Sequence, residues 1–395
     1  MTTLHSGVVL TPEERLARRR LIFHDALSLL TLFLITSVIF ILTWLLHRSF
    51  EDHREELGRR WKARGELALH EGRAKDAVDA LRTALAYVPS RATEIELATA
   101  LADAGRTTEA TAYFNTLWDS APGDGMINLQ LARLAARQGD EPTAVLHYQS
   151  ALDGTWQGNG YDRRREVRLE LAGYLISRRK YDEARSQLII AAGNAPDDPA
   201  IKIQIAGLLE QAKDVQSALD IYRAVAARHP APLGALTGAG RTAFELGMYR
   251  VAADYLSRAL ATPSAAGLAE SDRNADRTMF ATADRILLLF PADDLPARLR
   301  AERILTLRNT AHARLATCAA NPATTASLGD LAARWEQLPT RITVNQLEQQ
   351  PDLEQNLFQL ALDTETVTAA SCGAPTGDDA LILRIAQNPG AVEQP

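Results

Sequence analysis

The sequence predicts an all-α protein: a solenoid of helix hairpins on an N-terminal membrane helix, closed by a helical C-terminal cap. Three observations lead there. One phase of small residues recurs six times between Trp61 and Ser264, at a period of about 34 residues. An uncharged apolar run fills Ala26–Leu46. No segment alternates apolar and polar residues between hairpin turns, so strands are not expected.

The N-terminal element comes first. A helix of about 20 apolar residues spans a bilayer core, and residues 26–46 (ALSLLTLFLITSVIFILTWLL) meet that length without a charge. Trp44 stands near one end, where an indole suits the interface. A cleaved signal would have a shorter run followed by small residues, whereas Leu45-Leu46-His47-Arg48 follows here. Residues 21–48 are therefore expected to be an uncleaved anchor in contact with the lipid bilayer. Asp25, beside the arginines, is expected at headgroup level. Arg15, Arg18, Arg19 and Arg20 make residues 1–20 a short basic tail. By the positive-inside rule that tail is cytoplasmic, and the rest lies outside a bacterial-type inner membrane. Arg54, Arg59, Arg60, Lys62 and Arg64 on the far side favour the reverse, a cytoplasm-facing protein. Several of them alternate with Asp52, Glu55 and Glu56, and charges on a long exported domain weigh less.

The repeats follow over residues 49–264, at about 58–90, 91–124, 125–152, 165–198, 199–232 and 233–264, with an inserted loop at 153–165. The clearest copy reads Trp61, Gly65, Gly72, Ala77, Leu81, Ala84, Leu85, Pro89. The second carries Ala98, Gly105, Ala110, Phe114 and Pro122, and the third Ala132, Gly139, Ala144, Tyr148 and Ala151. The fourth has Ala172, Tyr181, Ala184 and Leu188, the fifth Ala206, Ala218 and Tyr222, the sixth Gly240, Gly247, Ala252 and Leu256. Each hairpin can bury its apolar face only against the next, and close helix axes need Gly or Ala at the crossings. Gly72, Gly105, Gly139 and Gly247 stand where a first helix must end in the left-handed conformation. Pro89, Pro122, Pro196 and Pro230 forbid continuation of the second helices.

This pattern resembles the tetratricopeptide repeat family over roughly half of the chain. The resemblance implies a right-handed α-solenoid whose concave surface, built from the first helix of each pair, binds other proteins. Carried over place by place, it puts Lys62, Glu66, Leu69, Thr99, Arg133, Arg137, Ile176, Glu210, Arg241 and Glu245 in the groove. Some relatives clamp terminal carboxylates with Lys and Asn. Here Lys62 occupies the first such place, but Glu66 and Glu96 stand where asparagines would, which argues against that clamp. Arginines interspersed with small apolar residues suit an extended or helical protein segment.

The segment Asp153–Arg165 adds about six residues to the usual spacing. It is expected either to tuck its aromatics onto the array or to contact a partner through Trp156, Tyr161, Arg163, Arg164 and Arg165. Arg163–Arg165 and Arg178–Lys180 are flanked by Glu166, Glu170, Asp182 and Glu183, as expected of a solvated mixed-charge face.

Beyond Ser264 the phase fades while helical character persists. Residues 285–291 read as the second helix of a degenerate seventh pair ended by Pro291, and 295–317 as a further helix. Amphipathic stretches at 328–338 and 353–362 and an apolar cluster at 380–385 complete a cap over 265–387; residues 388–395 are expected to be a mobile tail. Cys318 and Cys372 allow one internal disulfide, expected in an oxidising compartment and otherwise replaced by two buried thiols.

Composition narrows the function. With 395 residues, 46% hydrophobic and 23% charged, the chain is ordinary for a folded protein. A net charge of −6 argues against nucleic acid, which demands a concentrated basic stripe. There is no phosphate loop, no His-Glu-x-x-His zinc pair and no nucleophile elbow; Gly154, Gly158 and Gly160 follow no strand. The eight histidines are scattered and read as surface or interfacial groups. No catalytic residue, metal or cofactor is expected. The reading is a membrane-tethered scaffold for other proteins in envelope assembly, secretion or maturation of a membrane complex. The alternative is a cytoplasm-facing adaptor that presents a partner enzyme to its substrate.

Overall fold

Six residues in the left-handed conformation set the rhythm of the chain. Gly72, Gly105, Gly139, Arg179, Lys213 and Gly247 all have positive φ, between 60° and 79°. They recur about every 34 residues, apart from a longer step between Gly139 and Arg179. Each closes the first helix of a hairpin, its amide or the next one returning to carbonyls of the last turn, as Arg106 N does to Leu101 O at 2.8 Å. Four are the glycines expected; in the fourth and fifth copies Arg179 and Lys213 take the same conformation at a cost of about 1 kcal/mol each.

The computed structural model describes residues 12–320 and 328–392; residues 1–11 of the basic tail lie outside them. Every regular element among the described residues is helical, as the sequence predicts. The chain divides into two compact units, Met1–Gly160 and Tyr161–Pro395.

In the first unit, α1 (Pro12–His70) runs for 59 residues from the apolar segment into the first repeat. No Gly or Pro interrupts residues 13–57. Arg59–Glu56 and Arg60–Glu56 pairs at 3.3 and 2.8 Å join successive turns of the stretch between. Its apolar part is unburied, with Phe23 71% and Phe40 72% exposed. By length and composition it can cross a membrane. The end of α1 pairs with α2 (Ala74–Tyr87), α3 (Arg91–Asp103) with α4 (Thr107–Ser120), and α5 (Gly125–Gln138) with α6 (Glu141–Asp153). Gly65 is required by the first crossing: a Cβ there would lie 2.6 Å from Leu81. Leu81, Leu97, Leu101, Phe114 and Ile127 form the core.

The second unit continues with α7 (Gly160–Ser177), α8 (Tyr181–Gly193), α9 (Pro199–Gln211), α10 (Val215–Ala226), α11 (Leu233–Glu245) and α12 (Tyr249–Ala261). Asp198 and Asp214 cap α9 and α10, accepting from Ala200 N and Ser217 N. A 3-10 turn at Pro263–Gly267 leads to α13 (Glu270–Leu289), α14 (Ala297–Ala319), α15 (Gly329–Glu336), α16 (Val344–Gln349), α17 (Pro351–Cys372) and α18 (Gly377–Gln387). The structure joins Cys318 at the end of α14 to Cys372 at the end of α17, with 5.9 Å between Cα atoms.

Three expectations need correction. The insertion is non-helical only at 154–159, because α7 starts at Gly160. Tyr161 and the three arginines are helical, supported by an Arg165–Asp162 pair at 2.6 Å and an Arg163–Glu166 pair at 3.0 Å. Residues 285–289 are not a second helix but the end of the single 20-residue α13, which stops at Leu289, two residues before Pro291. The tail is fixed through Val392, which is fully buried, while Asn388 and Ala391 lie against Gly247. Residues 393–395 lie outside the described residues.

Candidate functional site

The first helix of each hairpin carries the candidate positions, and each unit holds its own groove. In the first unit a cleft of about 250 Å³ lies among α1, α2 and α3, lined by Glu55, Gly58, Arg59, Lys62, Ala84, Val88, Ser90 and Thr93. Lys62 sits on its wall, its ammonium 3.3 Å from Glu66 and 3.2 Å from Glu96. Burial works against the Lys62 charge, but hydrogen bonds to Glu96 and Glu66 outweigh it and hold the ammonium above its ordinary value. Burial raises Glu96 against the pull of Lys62. Pairing thus favours the Lys62 cation while burial disfavours the Glu96 anion.

The other first-unit positions are less available. Thr99 turns its hydroxyl back to Ile95 O at 2.8 Å. Leu69 packs on the core cluster. Arg137 donates to Ala102 O at 3.0 Å and lies 3.7 Å from Asp103, closing the end of α3. Arg133, half-buried, is engaged as well.

In the second unit a groove of about 490 Å³ runs between α7 and α9, lined by Arg165, Glu166, Leu169, Glu170, Ile201, Gln204 and Leu208. It includes Arg165 but not Ile176, which is half-buried elsewhere on α7. Further along, Glu210 is hydrogen-bonded to Tyr222. Burial raises the Glu210 carboxyl, the Tyr222 bond opposes that, and Glu245 adds a smaller upward push. Burial, then the charge of Glu210, pushes the Tyr222 hydroxyl up strongly. Arg241 turns to α13, where its Nε meets Asp276 Oδ1 at 2.5 Å. That pairing, opposed by partial burial, raises the guanidinium. Sequence reasoning placed Arg241 in the groove but missed the carboxylate that holds it, because Asp276 lies beyond the last regular repeat.

Trp156 does tuck inward. Its indole donates to Ala151 O at 2.9 Å, its ring fills the space where Gly125 has no Cβ, and Thr155 N donates to Gly123 O at 2.8 Å. Tyr161, in contrast, is 85% exposed. Under this clamp lies a polar cluster unmarked in the sequence. Asn128, fully buried, donates to Pro122 O and Asp124 O. His147 contacts its side-chain oxygen at 3.0 Å and packs edge-on against Trp118. Burial pushes His147 below the ordinary imidazole value. Among the described residues no group of three His, Cys, Asp or Glu could hold a metal ion. The grooves therefore offer shape, apolar contact and partly exposed ion pairs, which suits a polypeptide segment.

The Tetratricopeptide repeat family matches residues 95–159 and 169–231. No curated protein matches the chain. Similar solved structures include PilF of Pseudomonas aeruginosa, 18% identical, covering 57% of this chain and 99% of that one, with a TM-score of 0.40. Yeast Tom70 is 14% identical over 86% of this chain and 55% of its own, with a TM-score of 0.38. The TPR2AB domain of yeast Sti1, in a complex with pHSP90, is 13% identical over 58% of this chain and 99% of that one, with a TM-score of 0.25.

Proposed function

Since the chain is a tetratricopeptide repeat protein, a family of protein-binding scaffolds and adaptors, we propose that it is tethered by α1 to an inner membrane. Its array then binds segments of other envelope proteins outside the cytoplasm. The single observation that carries this reading is the continuity of α1: one helix contains both the exposed apolar run 26–46 and the first helix of the first repeat. Tethering confines the grooves to a membrane surface and raises their effective concentration for other membrane components.

Two observations support the orientation. Arg15, Arg18, Arg19 and Arg20 precede the span. The Cys318–Cys372 bond belongs to an oxidising compartment. Assistance in envelope assembly, secretion or maturation of a membrane complex is the role such a scaffold would fill. The second reading, a cytoplasm-facing adaptor, draws on the cations Arg54 to Arg64 beyond the span.

A phosphatase fused after Pro395 tests the orientation: activity is expected, and an inactive fusion with both thiols open to maleimide in denatured, unreduced protein would reverse it. Groove use is tested by affinity purification from solubilised membranes with Glu166→Arg and Gln204→Arg. Partner recovery unchanged by the pair would remove the α7–α9 groove from the proposal.

A further inference from the structure

Glu365 is fully buried in α17, and neither of its carboxylate oxygens has a hydrogen-bond donor. Asp379 of α18 interacts with it directly, and Asp379 Oδ1 is equally buried and without a donor. Nearby hydroxyls do not help: Thr364 and Thr368 donate back to Leu360 O and Thr364 O. Arg314 of α14 is the cation that acts on Glu365, but its Nη2 is committed to Gly373 O at 2.7 Å, and its buried Nε makes no hydrogen bond to Glu365 or to any other group. On the other side of α18, Asp378 is paired with Arg285 of α13 at 2.6 Å. Asp363 of α17 is paired with Arg334 of α15 at 2.8 Å. His312 of α14 packs on Trp335. Ionising both a fully buried carboxyl and a half-buried one whose Oδ1 is enclosed beside it is costly, and one shared proton supplies the donor that these oxygens lack.

We propose that a proton shared by Glu365 and Asp379 latches α18 onto α17, and that its loss to solvent releases α18 and the segment after it from the last repeat. Burial, reinforced by Asp379, pushes Glu365 up to about 8. α18 reaches the end of the array: Arg384 stacks over Phe244 at 5.4 Å, and Asn388 and Ala391 cover Gly247. Phe244 in turn packs edge-on against Tyr249. The latch thus governs access to the terminal face of the sixth repeat.

The direction follows from linkage. Glu365 is neutral when closed and ionised when open, so the latch is at full strength below the ordinary carboxyl value. It weakens as pH rises and levels off above about 8.

The test is hydrogen exchange in full-length protein in detergent, reading peptides of residues 377–387 after correction for the intrinsic base-catalysed rate. The α18 opening equilibrium should rise about tenfold per pH unit from roughly pH 5 to pH 8 and then flatten. Glu365→Gln, neutral at every pH, should abolish that rise. Corrected protection independent of pH in the wild type, or a slope retained in Glu365→Gln, would overturn the proposal. If that variant does not fold, Asp379→Asn, which leaves burial acting on Glu365 but removes the neighbouring carboxylate and supplies an amide donor, should bring the flattening to lower pH; an unchanged profile would overturn the proposal. The wild type alone provides a second readout: the infrared carbonyl band of a protonated carboxyl, which should disappear as pH passes about 8. Its absence at neutral pH would also overturn the latch.

Discussion

Nε of Arg241 meets Oδ1 of Asp276 at 2.5 Å, joining a guanidinium 38% exposed to a carboxylate only 1% exposed. The second oxygen, Asp276 Oδ2, is buried without a donor. The ion pair therefore rests on one side chain. Arg241→Ala should cost about 2–3 kcal/mol by leaving a buried carboxylate without its cation. Adding Asp276→Leu should recover most of the loss. Urea unfolding of the single and double variants measures both, and an Arg241→Ala midpoint equal to wild type would show that water replaces the arginine.

The left-handed positions separate backbone strain from packing. Gly139 has φ 79°, and a Cβ added there would meet nothing within 4 Å. Gly139→Ala is therefore expected to lose about 1 kcal/mol through conformation alone. Lys213→Gly, at φ 64°, should gain up to about 1 kcal/mol. Opposite shifts in denaturation midpoint check the pair.

Trp156 holds the 154–159 loop on the α4–α5 connection. Trp156→Ala should cost about 2 kcal/mol, less than a fully buried tryptophan because the ring is half-buried. Proteolysis within the loop should quicken. Gly125→Ala should act on the same loop, since its methyl would enter the indole ring.

His147 makes the first unit sensitive to acid. Its folded pKa is depressed by burial, so its contribution is complete above the ordinary value of about 6.5. That contribution is lost as pH falls through the lower folded value. The denaturation midpoint of the first unit should drop on acidification, and His147→Gln should flatten the dependence. Identical acid profiles in the two proteins would place the sensitivity elsewhere.

Much of the architecture was legible because it depends on local, repeated requirements. The glycines at 72, 105, 139 and 247 are needed for backbone conformation, and Gly65 for helix approach, so residue type betrayed the role. Arg179 and Lys213 show where that reasoning ends, since tertiary packing imposes the same conformation on residues that do not favour it. The helical start at Gly160 was hidden by glycines and aromatics that look like loop, although Asp162 and Glu166 already stood in register to pair with Arg165 and Arg163. Long-range pairs were not legible at all. Nothing in the sequence joins Arg241 to Asp276, or Glu365 to Asp379, because burial and facing elements create those pairs. Groove positions could be named by phase, yet phase could not tell that Arg137 caps α3 or that Leu69 belongs to the core.

The unbroken course of α1 has an angular consequence. A helix turns by about 100° and advances about 1.5 Å with each residue. The count of residues between Leu46 and Gly58 therefore fixes the compass bearing of the first repeats about the helix axis, as well as their height. Adding one alanine between Leu46 and Glu51 would swing them by more than a quarter turn while leaving the Arg54, Arg59 and Arg60 pairings of the stalk intact. Adding seven would nearly restore the bearing and raise them by about 10 Å. With α1 in a bilayer as proposed, a neighbour held in that bilayer would meet a face chosen by arithmetic in the stalk.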